Sequence, residues 1–328
     1  MTIKITIIGL GQVGGSIGLA LAQYKNNIFV LGHDKEMAVE RAAQKKGAVE
    51  KTEHNLPRAV QDAKMIILAL PVHQVRETLE FIAPDLMDGA IVVDTSPIKS
   101  EVAKWVKEIL PAGCFYVGLI PTIGSEFLHD RETGLDSARA DLFSKSIFML
   151  DAPVGATSET VQLVMDLVRL LGATALLTDI IESDGVMASV HLLPQLVSAA
   201  LLNATVDQPG WQEGRKLAGR AYVAATSGFA VQDDPDALRM LSLHNRENVI
   251  RSLDVMIASL RALRDDIEKG DDDAVKARLQ AAHESREAWL NERTLANWDG
   301  MRNESEKPAS LSERLFSGLL GGRSKNRK

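Results

Sequence analysis

A single cysteine, Cys114, in a chain of 328 residues excludes any disulfide within the chain. It reads as a buried apolar thiol rather than a nucleophile, and a reducing cytoplasm is the expected setting. Positive charge is also short. Lys and Arg number 37 against 44 Asp and Glu, a formal net charge of −7, so no basic face for nucleic acid is expected. A small anionic substrate stays open, because a few local cations outweigh the net balance. No uninterrupted apolar run is long enough for a transmembrane segment. The start, Met1 to Ile8, lacks the basic, apolar and small-residue regions of a signal peptide. No Cys/His spacing marks a zinc site, so no metal is expected. No internal repeat is visible, and the length fits about two domains.

What is present is concentrated at the beginning. Lys4 to Ile8 is a β-branched run of the kind buried in a parallel sheet. Gly9-Leu10-Gly11-Gln12-Val13-Gly14 follows at once, then an apolar helical stretch, then a second run, Ile28 to Leu31, ending at Gly32-His33-Asp34. In this strand, glycine turn, helix, strand order, Gly9 permits the tight turn. Gly11 lets the backbone approach a pyrophosphate, and Gly14 lets the helix pack on the strand. The helix N-terminus offers unpaired N–H groups to phosphate. Asp34, 20 residues after Gly14, is placed to accept hydrogen bonds from the adenosine ribose and to repel a 2′-phosphate. The expected cofactor is NAD, with NADP possible because Lys35 follows directly. Gly9, Gly11, Gln12, Val13, Gly14 and Asp34 are the candidate cofactor residues.

Three further apolar runs end in Ala69-Leu70-Pro71, Asp94-Thr95-Ser96 and Leu119-Ile120-Pro121-Thr122, with helical stretches between them. Alternating strands and helices predict an α/β class Rossmann domain, a doubly wound parallel sheet, over residues 1–180. Ligands of such sheets bind beyond the carboxyl ends of the strands. That adds Leu70, Pro71 and Thr95 to the cofactor candidates and Ser96, Ile120 and Thr122 to the substrate and catalytic candidates.

From Glu182 the pattern turns helical. Val186 to Ala204 is almost wholly apolar, with Pro194 expected to kink it, and Asp234-Pro235 and Asp271 to Asp273 begin later helices. Residues 181–300 therefore read as an all-α domain carrying substrate contacts and a homodimer interface. Residues 301–328 read as a flexible tail.

On Gly9 to Ser16, Leu70-Pro71-Val72, Asp94 to Lys99, Ala140 to Phe143, Asp234-Pro235 and Asn245-Arg246-Glu247-Asn248, residues 3 to 295 resemble the prephenate/arogenate dehydrogenases. The resemblance implies a Rossmann domain followed by a helical dimerisation domain. It also implies a reaction that oxidises a small-molecule substrate, prephenate or arogenate, with loss of carbon dioxide towards tyrosine. A hydrogen-bond acceptor must take the substrate hydroxyl proton, and a cation, typically arginine, must hold a carboxylate.

The chain departs from the family at these points. Ile120 stands where the family's catalytic histidine belongs, Pro97 falls on its serine with Ser96 adjacent, and Ser227 to Phe229 hold none of its arginine. His191-Leu192-Leu193-Pro194-Gln195 covers the family's Ser-His-Leu-Pro-His segment. His191 is the substitute acceptor and Gln195, one turn on, a substrate contact. Between Ser183 and Asp207 there is no lysine, which disfavours the related hydroxyacid dehydrogenases that use one. Two alternatives stay open: an oxidoreductase of this scaffold with another substrate, and a catalytically silent NAD-binding regulatory protein.

Overall fold

The computed structural model describes residues 2–130, 132–152, 155–231, 234–296 and 298. The tail expected over residues 301–328 lies outside them. The described chain separates into two compact units, dividing between Ser183 and Asp184, with Trp298 belonging to the first.

The first unit alternates strand and helix. It runs β1 (Ile3–Ile8), α1 (Gln12–Leu21), β2 (Ile28–His33), α2 (Met37–Lys46), β3 (Lys51–Thr52), α3 (Leu56–Val60), β4 (Met65–Leu68), α4 (Val72–Ile82) and β5 (Ile91–Asp94). It continues with α5 (Ser100–Ile109), β6 (Phe115–Pro121), β7 (Ile147–Asp151), α6 (Ser158–Leu170) and β8 (Thr174–Thr178). The strands form one sheet in the order β3-β2-β1-β4-β5-β6-β7-β8. The order turns back at β1, which pairs with both β2 and β4. The crevice for a ligand in an open α/β sheet lies at that reversal, beyond the strands' carboxyl ends.

The strands form because apolar residues with helices on both faces leave no polar side to the sheet. Ile5, Ile7, Val30, Ile67 and Val93 are buried together with Ile17 and Leu21 of α1 and Leu163 and Leu167 of α6. Each such side chain contributes about 1.5–3 kcal/mol of transfer free energy. Helix ends are set by side chains: Asn55 accepts from Arg58 N–H at 3.0 Å, and Thr157 accepts from Thr160 N–H at 3.1 Å.

The sheet is not parallel throughout. β7 runs antiparallel to β6, and β8 follows β7 in parallel. The connection from residue 122 to 146 contains only short 3₁₀ turns among its described residues, whereas a parallel crossover needs a helix-sized return. The connection therefore stays at the carboxyl edge of the sheet. There it packs on the start of α1: a Cβ built on Gly15 would lie 2.9 Å from Ala138 Cβ and from Leu135 Cδ1.

The second unit is helical. α7 (Ile180–Met187) opens it, continues through a π-helical turn (Ala188–Leu192), and runs on as α8 (Leu193–Thr205). Then come α9 (Trp211–Leu217), α10 (Arg220–Val231), α11 (Pro235–His244), α12 (Arg246–Lys269) and α13 (Asp272–Leu295). Pro194, where a kink was expected, stands two residues after the π turn. Proline supplies no N–H to the preceding turn, and the wider turn accommodates the loss. The continuous helix Ile180–Thr205 has a mean hydropathy of 1.6 over its most apolar stretch, which meets the length and composition requirement for a membrane span. The sequence reading counted no membrane-length run, because His191, Pro194 and Gln195 interrupt the apolar stretch Val186 to Ala204. Apolar core helices of bundles meet the same requirement.

Candidate active site

The glycine turn is shaped by three close approaches. Gly9 has φ +91°, and a Cβ there would lie 2.3 Å from the Ala69 carbonyl oxygen and 2.9 Å from Leu70 Cδ2. A Cβ on Gly14 would lie 1.9 Å from the Gly9 carbonyl oxygen. Gly11 differs, since a Cβ there would meet nothing within 4 Å. Among the described residues no neighbour accounts for a glycine at position 11, and open space over the turn is what a pyrophosphate requires. Gly11 N-caps α1 without a side-chain bond, and no acidic residue occupies the first turn. The N–H groups of Gln12 and Val13 therefore stand at the positive end of the helix, and no acidic side chain of that turn competes for them.

Asp34, directly after β2, is half-buried. Its Oδ2 accepts the Leu10 N–H at 2.9 Å and its Oδ1 the Glu36 N–H at 3.0 Å. The acid thus ties the glycine turn to the end of β2, and its remaining lone pairs are available to ribose hydroxyls. Behind it, Glu40 Oε1 accepts the Asp34 N–H at 3.1 Å. Glu40 Oε1 also lies 3.2 Å from His54 Nδ1 and 3.6 Å from His33 Nδ1. The sequence reading singled out neither Glu40 nor His54, which reach one another only through the fold.

At the ends of β5 and β6 a buried charge network replaces the expected open pocket. Lys99 and Asp94 are both fully buried, with Nζ 2.6 Å from Asp94 Oδ2 and 3.0 Å from the Asp94 carbonyl oxygen. Ser96 is 2% exposed, and its hydroxyl lies 3.0 Å from Asp94 Oδ2 and 3.1 Å from the Ile98 carbonyl. Its geometry is that of a group holding Asp94. The lysine stem passes over Gly118, where a Cβ would sit 2.8 Å from Lys99 Cδ and 3.3 Å from Asp151 Cβ. Asp151, on β7, accepts the Ser183 hydroxyl at 2.9 Å through either oxygen. Sequence reasoning missed Asp151 because it did not recognise β7, while Lys99 lay inside a segment it did mark.

The other strand-end candidates are largely engaged in the fold. Thr95 donates its hydroxyl to the Leu68 carbonyl at 3.1 Å. Ile120 is 2% exposed and pairs with Met149 across β6 and β7. Thr122 donates to the Ile147 carbonyl at 2.6 Å and accepts the Ile147 N–H at 3.3 Å. Its hydroxyl adds a rung to the ladder just after Pro121, which has no N–H to give. Leu70 is half-buried and Pro71 exposed as the N-cap of α4. His129 is exposed, and Arg131 lies outside the described residues. Cys114 is half-buried, and burial together with the nearby Asp88 carboxylate raises its thiol pKa, so it is a poor nucleophile at neutral pH.

In the helical unit, His191 is half-exposed within the π turn. Gln195 is 1% exposed and donates its side-chain N–H to the His191 carbonyl at 3.1 Å. The glutamine satisfies a carbonyl in the turn disturbed by Pro194, and so fixes the backbone that carries the histidine. Asn245 is buried and donates to the Asp184 carbonyl at 2.7 Å, while Asn248 donates to Asn245 Oδ1 at 2.7 Å. The Asn245 to Asn248 block thus fastens the first turn of the unit to α12. Ser227 to Phe229, lacking arginine, lie on α10.

Comparison with known proteins agrees across both units. Residues 17–177 match the family model for the nucleotide-binding domain of prephenate dehydrogenase, and residues 181–281 match that for its dimerization domain. Prephenate dehydrogenase of Lactococcus lactis is 31% identical over 201 residues, covering 61% of this chain and 53% of that protein. The match thus spans about half the length of that relative. Cyclohexadienyl dehydrogenase of Zymomonas mobilis is 24% identical over 285 residues, covering 86% and 94%. Among solved structures, prephenate dehydrogenase from A. aeolicus in complex with hydroxyphenyl propionate and NAD+ superposes with a TM-score of 0.77 at 20% identity, covering 88% of this chain and 98% of that one. Synechocystis arogenate dehydrogenase gives 0.69 at 22% identity, covering 88% and 100%.

Proposed function

Because the chain belongs to the prephenate dehydrogenase family, we propose that it is an NAD-dependent dehydrogenase acting on prephenate or arogenate, with loss of carbon dioxide. The observation that carries this reading is the glycine turn held to Asp34 through the Leu10 N–H, with open space above Gly11. Gly11, Gln12 and Val13 hold the pyrophosphate, and Asp34 takes the adenosine ribose and disfavours the 2′-phosphate of NADP. Bound NAD supplies the hydride acceptor. His191 accepts the substrate hydroxyl proton, held in place by Gln195, and Thr95 and Ser96 keep the β5 terminus in shape for the ligand.

A second reading has one observation in its favour. Ile120, buried at the family's histidine position, cannot accept a proton, which supports an oxidoreductase with a different substrate. NADH formation from NAD with prephenate or with arogenate, in wild type and His191→Ala, separates the two. Turnover lost by about 10²-fold or more in the variant is expected, the range that a general base contributes. Equal turnover in the two proteins removes His191. No turnover with either substrate, while calorimetry shows NAD bound, removes the prephenate reading.

The helical unit is proposed to form a homodimer, in the cytoplasm, where Cys114 stays a thiol. The unit leaves Val190, Leu217, Val255 and Leu260 between 57% and 84% exposed, apolar side chains that a second copy of the unit would cover. Light scattering on the eluting protein is expected to give twice the chain mass of 35.7 kDa, and a monomer mass at micromolar concentration refutes the dimer.

A further inference from the structure

Three side chains from separate elements converge behind Asp34. His33 closes β2, Glu40 lies in the first turn of α2, and His54 follows β3. One donor atom from each lies within 4.8 Å of the other two. Donors that share an ion at about 2.0–2.2 Å stand up to about 4.4 Å apart, so only a small closure is needed. We propose that His33, Glu40 and His54 bind a divalent ion of the zinc class, with further coordination positions open to water.

Several features favour an ion over a simple hydrogen-bonded cluster. Two imidazoles and a carboxylate are the donor set that first-row divalent ions prefer. The Glu40 side chain is 5% exposed and that of His33 11%, so water screens the carboxylate weakly. His33 Nδ1 lies 3.0 Å from the Glu53 carbonyl oxygen. That contact fixes the ring, and the outer-shell rule then asks the opposite nitrogen, Nε2, to be the one that binds an ion. The side chain of His54 is 51% exposed, which gives an ion an entry path.

The test uses the full chain after dialysis against a chelator, titrated with Co2+ and followed by calorimetry and visible absorption. One Co2+ per chain is expected, with ligand-field bands of a four- or five-coordinate nitrogen–oxygen site. His54→Ala and Glu40→Gln are each expected to weaken binding by about 10–100-fold, at least the loss caused by removing an outer-shell partner. His54→Ala removes an exposed side chain, and an unchanged thermal midpoint shows that the fold persists. Absence of Co2+ binding by wild type overturns the proposal. So does binding that both variants retain at full affinity, which places the ion elsewhere.

Discussion

Lys99→Ala is expected to destabilise the N-terminal unit by about 3–5 kcal/mol, the range for removing one partner of a buried ion pair. Asp94 and Lys99 are both fully buried, 2.6 Å apart. Among the described residues, truncation leaves the Asp94 carboxylate in a low-dielectric interior with the Ser96 N–H and hydroxyl, each at 3.0 Å, and the Tyr116 hydroxyl at 3.4 Å to oppose its charge. It also empties the channel over Gly118 that the lysine stem fills. The comparison that isolates the charge effect is Asp94→Asn with Lys99→Met. This double variant removes both charges at nearly constant volume and is expected to recover most of the loss. Urea unfolding of the three proteins measures it. A single variant within about 1 kcal/mol of wild type, the size of an exposed pair, would show that water reaches this site.

Gly11→Val is expected to leave the fold intact and cut NAD affinity by at least about tenfold, which is about 1.4 kcal/mol. The reasoning rests on where the new atoms go. A Cβ at Gly11 meets nothing within 4 Å among the described residues, so the side chain projects into the space proposed for the pyrophosphate. Gly14→Val is the contrasting case. Its first added carbon would lie 1.9 Å from the Gly9 carbonyl oxygen, so the clash is with backbone. The cost there is about 1–3 kcal/mol or more of stability whether or not nucleotide is present. Thermal midpoints without ligand and calorimetric NAD titration resolve the two effects. Full NAD affinity in Gly11→Val would remove the glycine turn from the binding site.

The two glycine positions also show why the first strands were legible in the sequence and later features were not. Gly9, Gly11 and Gly14 act through spacing along a single stretch of chain, and Asp34 follows at a distance fixed by one helix and one strand. Asp151 is of another kind. Its strand, Ile147 to Asp151, follows a segment without an α-helix, so the alternation that marked the other strands was missing. Its reversed direction depends on a tertiary choice at the sheet edge. His33, Glu40 and His54 meet because β2 and β3 lie side by side and α2 crosses above them, which no local pattern encodes. At the carboxyl edge, Ser96 and Thr122 were named as candidate ligand contacts from their position at strand ends alone. Both hydrogen-bond within the fold, Ser96 to Asp94 and Thr122 to β7, which strand-end position does not reveal. The sequence marked Pro194 as a disturbance, but not that Gln195 repairs the turn around it.

The strand order bears on how the first unit assembles. Every neighbouring pair in the sheet joins strands consecutive along the chain, except β1 with β4. Two blocks, β1 to β3 and β4 to β8, are each built from near-neighbour pairings whose loop-closure entropy is small. Joining them requires one long-range closure, the kind of step that slows folding. The glycine turn proposed to hold the nucleotide follows β1, one of the two strands of that seam. A ligand that binds only the closed seam shifts the balance towards it by mass action, so cofactor concentration becomes a determinant of how long the two blocks stay joined.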